Sequence, residues 1–172
     1  MTALIRIDRS WTEPRERSRP IRFCSRCGHP SEDPPGRVGR FERNRICQRC
    51  EMGLMLSCSR DALPGTAAAF LIVTFELMVS AVSQAGEVIF GAEQSRVGTP
   101  LLDLLTSPLG DHELSRHVNQ AAHSPSKPVV LPVRLASADA AGRVGTMAAR
   151  VATCGPPRAA LITVEPSEFG RH

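Results

Sequence analysis

The chain has 172 residues, 42% of them hydrophobic and 22% charged, with 21 Lys and Arg against 17 Asp and Glu. That composition excludes a disordered or low-complexity polymer and suits one mid-sized domain, or one ordinary domain with a small appendage. The charge is uneven: residues 1–60 hold 13 Arg and 7 acidic residues (13 − 7, or +6), while residues 61–172 hold 8 basic and 10 acidic ones (8 − 10, or −2).

A basic first part is compatible with phosphate-bearing partners, with an acidic protein face, or with solubility alone. The most apolar run, TAAAFLIVTF at 66–75, is ten residues long before Glu76 interrupts it, and a membrane-spanning helix needs about 20. MTALIRIDRS carries charges where a signal peptide would need an apolar core. A cytoplasmic protein with no membrane role is expected. In that reducing compartment, paired cysteines more often hold metal than form disulfides.

Residues 1–22 are rich in Arg, Glu, Pro and Ser, with Trp11 as their large apolar anchor, and are expected to form a flexible basic tail. Residues 23–60 contain CSRCGHPSEDPPGRVGRFERNRICQRC, in which Cys24, Cys27, Cys47 and Cys50 follow the spacing C-x2-C-x19-C-x2-C. Two residues between thiolates allow a tight turn to aim both sulfurs at one ion, and two such turns close a tetrahedron. The sequence between the pairs is too polar to form a core, so a structural zinc ion is expected to hold the module. A pair of disulfides, an iron–sulfur cluster or free thiols are the competing readings. Gly28 suits the reversal after the first pair. The second pair has Glu51 at that place, and a helix is expected to start there, with its positive end near the thiolates. The pattern resembles treble-clef or zinc-ribbon fingers. His29 adjoins the first pair and is expected to be a bystander, as are Cys58 and Cys154, neither of which has a partner at ligand spacing.

Arg22, Arg26, Arg37, Arg40, Arg43, Arg45 and Arg49 surround this module. Arg40, Arg43, Arg45 and Arg49 are candidate phosphate contacts, because guanidinium forks onto phosphate oxygens. Glu32, Asp33, Glu42 and Glu51 are interleaved with them, and Phe41 is the lone aromatic between the pairs. Protein contact is therefore favoured over nucleic acid, and both stay open.

DALPGT at 61–66 carries turn chemistry and is expected to be a linker. A change of texture marks 67–165. AFLIVTF (69–75) and LMVSAVS (77–83) predict a β-hairpin. Residues 84–106 predict short helical turns, and DHELSRHVNQAAH (111–123) predicts a helix with Asp111 as its N-cap and Leu114, His117, Val118 and Ala121 on one face. Three strands follow, at 127–137, 143–155 and 157–164, joined by ADAAG and CGPP. Pro132 assigns the first of them to a sheet edge, because proline cannot donate to a ladder. Residues 166–172 are expected to be a C-terminal tail.

This order predicts an α+β unit, a five-stranded antiparallel sheet with helices on one face. Together with FLIVTFELMVSAVSQAGEVIFGAEQSRVGTPLLDLL (70–105), it resembles the PAS domain family over about residues 67–165. Gly91 and Gly98 stand where the family's two glycine phrases have theirs, and Leu101, Leu102, Leu104 and Leu105 supply the apolar part of the second phrase. The acidic or Asn residue common at the end of the family's second strand is Ser83 or Gln84 here, and the cysteine signature of light-sensing members is absent. The resemblance implies a sensor or interaction module with a small-molecule ligand between helices and sheet, and contacts to a protein partner or within a homodimer. It also implies a haem option, since some members hold iron through a histidine on the helix before the third strand, where His117 is the candidate ligand-pocket residue.

Catalysis has little to stand on. HELSRH (112–117) misses the H-E-x-x-H zinc motif by one residue, and histidines five apart do not share a helix face. The expected protein is therefore non-catalytic: a structural zinc finger joined to a PAS-like sensory domain, with a DNA-binding regulator and a haem or redox sensor as alternatives.

Overall fold

The computed structural model describes residues 20–31, 45–137 and 145–166. Within them, strands β1 (Ile21–Cys24), β2 (Pro30–Ser31), β3 (Met55–Cys58), β4 (Ala69–Val73), β5 (Val79–Val82), β6 (Leu105–Thr106), β7 (Val129–Leu135), β8 (Met147–Gly155) and β9 (Ala159–Pro166) join in one antiparallel sheet. Helices are few: α1 (Glu87–Phe90), α2 (Glu93–Arg96) and α3 (Asp111–His123), with 3-10 turns at Arg60–Ala62 and Leu101–Asp103.

The sheet runs β2-β1-β3-β8-β9-β4-β5, with β7 also on β8 and β6 on β7. It is larger than the five strands expected, because the cysteine hairpin contributes β1 to β3 and the short β6 flanks β7. Strand β8 is the splice. Its residues 147–151 pair with β7, and Cys154 and Gly155 pair with Cys58 and Ser57 of β3. Both neighbours lie on the side away from β9, which pairs with β8 from Met147 to Cys154.

Strand periodicity explains the two faces of this sheet. Leu71, Val73, Ala160, Ile162, Val164, Ala149 and Val151 point to one side, where they meet Phe90, Leu101, Leu114 and Val118 from the helical segments and Leu105 of β6. The alternate positions Phe70, Ile72, Leu161, Ala152 and Cys154 point to the other side, where they meet Phe23 and Leu56 of the cysteine hairpin and Ala62 of the following turn. The register shift between Ile72 and Val73 lets Val79 and Val82, three apart, reach the same core. One face thus carries the helices and the other carries the cysteine module.

Ser83 sits at the corner where β5 turns into α1. Its Oγ accepts the amides of Phe70 (2.9 Å) and Gly86 (3.0 Å) and donates to the Ala68 carbonyl (3.2 Å), so a buried hydroxyl is fully used. Pro132 faces Ala148 on β8, and among the described residues the other side of β7 pairs only with the two-residue β6, at Leu135 and Arg134. Proline falls on the stretch with no second strand partner, where its carbonyl accepts the Ser107 hydroxyl at 3.0 Å. Helix α3 is capped by Gly110 rather than Asp111. Asp111 is already helical, and its Oδ1 accepts the Ser107 amide at 3.1 Å. The ADAAG turn and Trp11 fall largely or wholly outside the described residues. No helix among the described residues is long and apolar enough to cross a membrane.

Candidate metal centre

Two β-hairpins bring the four cysteines together. After β1, the chain turns through Ser25 and Arg26, the Gly28 amide returns to the Cys24 carbonyl at 3.0 Å, and β2 pairs back on β1. Gly28 holds φ of 69°, a left-handed conformation that glycine accepts without strain. The second turn repeats the design. The Glu51 amide returns to the Cys47 carbonyl at 2.9 Å, Ile46 bridges Leu54, and the Cys47 amide donates to the Gly53 carbonyl at 2.8 Å. Glu51 takes φ of 56° where the first turn has glycine. The chain then enters β3, so the helix expected after the second pair is replaced by a strand. The reversal at Glu51 and the turn at Gly53 send the backbone back along β1 rather than onward in a helical path.

The sulfurs of Cys24, Cys27, Cys47 and Cys50 lie within 4.8 Å of one another. Cys24 Sγ is 3.6 Å from Cys50 Sγ, and Cys27 Sγ is 3.9 Å from Cys47 Sγ. Four thiolates about 2.3 Å from a tetrahedral zinc ion would stand about 3.8 Å apart, so the donor set fits such an ion. Backbone amides turn toward the sulfurs: Arg26 and Cys27 donate to Cys24 Sγ at 3.3 and 3.4 Å, and Gly53 donates to Cys50 Sγ at 3.4 Å. Such bonds favour the thiolate. Gly53 is also a steric requirement, because a Cβ there would stand 2.2 Å from Cys24 Sγ.

Without metal, the thiols differ. Burial pushes Cys24 up to about 12, against the pull of the Cys27 and Arg26 amides. For Cys50, burial raises the value, but the Met52 and Gly53 amides with the Cys24 and Cys47 thiols bring it down to about 7. A bound cation would ionise all four.

Arg26, between two of the cysteines, leaves the cluster and reaches the helices. Its Nη1 donates to Glu93 Oε2 at 2.7 Å and its Nη2 to Glu87 Oε2 at 3.2 Å, with the Arg26 side chain only 18% exposed. Its carbonyl accepts the Gln84 amide at 2.7 Å. The carboxylates are themselves fixed, since Glu87 Oε1 accepts the Glu93 amide at 2.9 Å and Glu93 Oε1 accepts the Val82 amide at 3.1 Å. The Glu93 amide, with the Arg26 guanidinium beside it, holds the Glu87 carboxyl below its ordinary value. Below the cluster, Phe23 packs edge-on against Phe70, with ring centroids 5.9 Å apart.

The other candidate residues are scattered. Arg40 and Arg43 lie outside the described residues. Arg45 and Arg49 are exposed, and Arg49 Nη1 stands 3.2 Å from His29 Nδ1. His117 is on α3, half-buried, with Nε2 2.9 Å from Arg116 Nη2 and 3.7 Å from Glu113 Oε2. Two contacts were invisible in the sequence: the Arg26 pair with Glu87 and Glu93, more than sixty positions away, and the opposition of Cys58 to Cys154 across β3 and β8. Neither has a short-range signal.

The chain matches no protein-family model and no curated protein sequence.

Proposed function

We propose that this is a non-catalytic regulatory protein, in which a structural zinc module of ribbon type is coupled to a PAS-like sheet and helices that sense a small ligand or a partner. Zinc is the ion, because four thiolates in a closed tetrahedron leave no open position for chemistry and suit this metal. When bound, it supplies the cross-links that a polar hairpin tip cannot obtain from packing.

The observation that carries this reading is the Arg26 contact with Glu87 and Glu93. A residue lodged inside a cysteine turn fixes the two short helices next to β5. Movement of those helices therefore changes the turn, and order in the turn steadies the helices. Energy shared in this way is reciprocal between the two places.

A protein partner is the preferred contact. Ile46, Met52 and Leu54 are 57%, 66% and 51% exposed on the second cysteine hairpin, beside the exposed Arg45 and Arg49. Apolar side chains flanked by arginine suit a protein surface with acidic edges. Arg26, engaged by two carboxylates, is not offered to phosphate.

The test is zinc affinity by chelator competition in the wild type and in the double variant Glu87→Gln/Glu93→Gln, whose ligands are untouched. Coupling predicts weaker zinc binding, by about fivefold or more. Unchanged affinity would remove the link and the regulatory reading with it.

A further inference from the structure

Cys58 and Cys154 share no motif, yet the fold sets them against each other. They are directly opposed across β3 and β8, and the two strands meet at this pair and one other, Ser57 with Gly155. Directly opposed residues of an antiparallel pair have Cα atoms about 4.5–5.5 Å apart. A disulfide needs about 4.4–6.8 Å. Both thiols are free and buried, at 4% and 2% exposure, and neither belongs to the four-sulfur cluster. Both border a groove of about 430 Å³ shared with Pro20, Ser59, Pro125 and Arg158. The groove gives a small oxidant a place to approach when the two-pair junction opens.

We propose that Cys58 and Cys154 are a redox-convertible pair whose disulfide locks the cysteine module onto the sheet. The oxidant is a low-molecular-weight disulfide. One cysteine, as thiolate, attacks a sulfur of that disulfide, which breaks its S–S bond, releases one small thiolate and leaves a mixed disulfide. The second cysteine, as thiolate, attacks the protein sulfur of the mixed disulfide and releases the other small thiolate. The protein gives up two electrons and two protons, and the small disulfide becomes two thiols.

Burial pushes both thiols up to about 12, with Asp61 adding to the effect at Cys58 and Cys58 adding to it at Cys154. Thiolate is scarce, so the pair is a slow lock and not a fast peroxide sensor. The location gives the bond its consequence. It would close the seam between the cysteine module and the main sheet, where two residue pairs join β3 to β8.

The inference does not depend on the identity of the metal. The full chain, reduced and supplied with zinc, is incubated with oxidised glutathione, quenched with acid, alkylated and digested with trypsin. The expected product joins peptide 50–60 to peptide 151–158. It should disappear with dithiothreitol, and be missing when Cys58→Ser is treated in the same way. Amide exchange in β3 should slow by about tenfold or more in the oxidised protein. Of Cys154→Ser and Cys58→Ser, each of which lacks one thiol of the pair, the variant that keeps the first-attacking cysteine should accumulate its glutathione adduct. A wild type in which 151–158 stays unlinked, or a link that persists in Cys58→Ser through Cys50, would overturn the proposal. Fragmentation of the wild-type linked peptide places the bond even if a variant fails to fold.

Discussion

Arg26 Nη1 lies 2.7 Å from Glu93 Oε2, although Arg26 belongs to a cysteine turn and Glu93 to a helix beyond the first hairpin of the main sheet. The same carboxylate uses its second oxygen to accept the Val82 amide. The Arg26 side chain, together with its carbonyl's bond to the Gln84 amide, therefore carries the geometry of the four-sulfur cluster to the end of β5 and to α2. Replacing the side chain removes the carboxylate contacts between the metal site and the helices without touching a ligand, and leaves the backbone bond to Gln84 in place. Arg26→Ala should retain one metal ion per chain while amide exchange over residues 87–96 accelerates. The expected stability loss is about 1 kcal/mol, since the pair is only partly sheltered from solvent. Hydrogen exchange with metal stoichiometry on the same sample checks both halves.

The base of the cysteine module rests on Phe70. Phe70→Ala should destabilise the protein by about 3–5 kcal/mol, as expected for removing a buried aromatic ring. A double-mutant cycle with Phe23→Leu should give a coupling of about 0.5–1.5 kcal/mol, the worth of an edge-on aromatic pair beyond burial. Denaturant unfolding measures both.

Gly53 and Glu51 make opposite demands on one turn. Gly53→Ala would place a methyl group 2.2 Å from Cys24 Sγ, so metal affinity should fall by at least about tenfold in chelator competition. Gly145→Ala, with nothing within 4 Å of the added carbon, should leave it unchanged. Glu51→Gly should be neutral or stabilising by up to about 1 kcal/mol, because Glu51 holds a positive φ that a side chain disfavours.

The Glu87 carboxyl titrates below its ordinary value in the folded protein, through the Glu93 amide first and Arg26 next. Folding therefore favours its ionised form. That contribution is complete above the unfolded carboxyl's value near 4.5 and is lost as the pH falls through the lower folded value. The stability difference between wild type and Glu87→Gln should be constant near neutrality and shrink on acidification below that point. Urea unfolding of both proteins across that range, with metal content matched, measures the difference.

The cluster itself was legible in the sequence, because a tight turn forces the x2 spacing, and so were the strands whose apolar residues alternate. The strand after Cys50 was not. Its direction depends on Glu51 entering a conformation that its residue type disfavours and on Gly53 admitting Cys24 from another hairpin. The cap at Gly110 was hidden for a similar reason: Asp111 has the right chemistry but spends it on Ser107. The junction between β3 and β8 joins Cys58 to a residue almost a hundred positions later, and periodicity carries no information about such pairs. Nor did composition show that the back of the sheet, through Phe70, Ile72 and Leu161, supplies the apolar support that the cysteine module lacks by itself. That support holds the base of the hairpins, and the sulfurs hold their tips.

Amide exchange of the reduced protein, with zinc bound and after its removal by a chelator, tests the central claim most directly. Loss of the ion should expose the turns at 24–28 and 47–54, and the loss of protection should extend through Arg26 to residues 87–96, while β8 and β9 stay protected. Identical exchange in the two states would contradict a metal-held tip coupled to the helices.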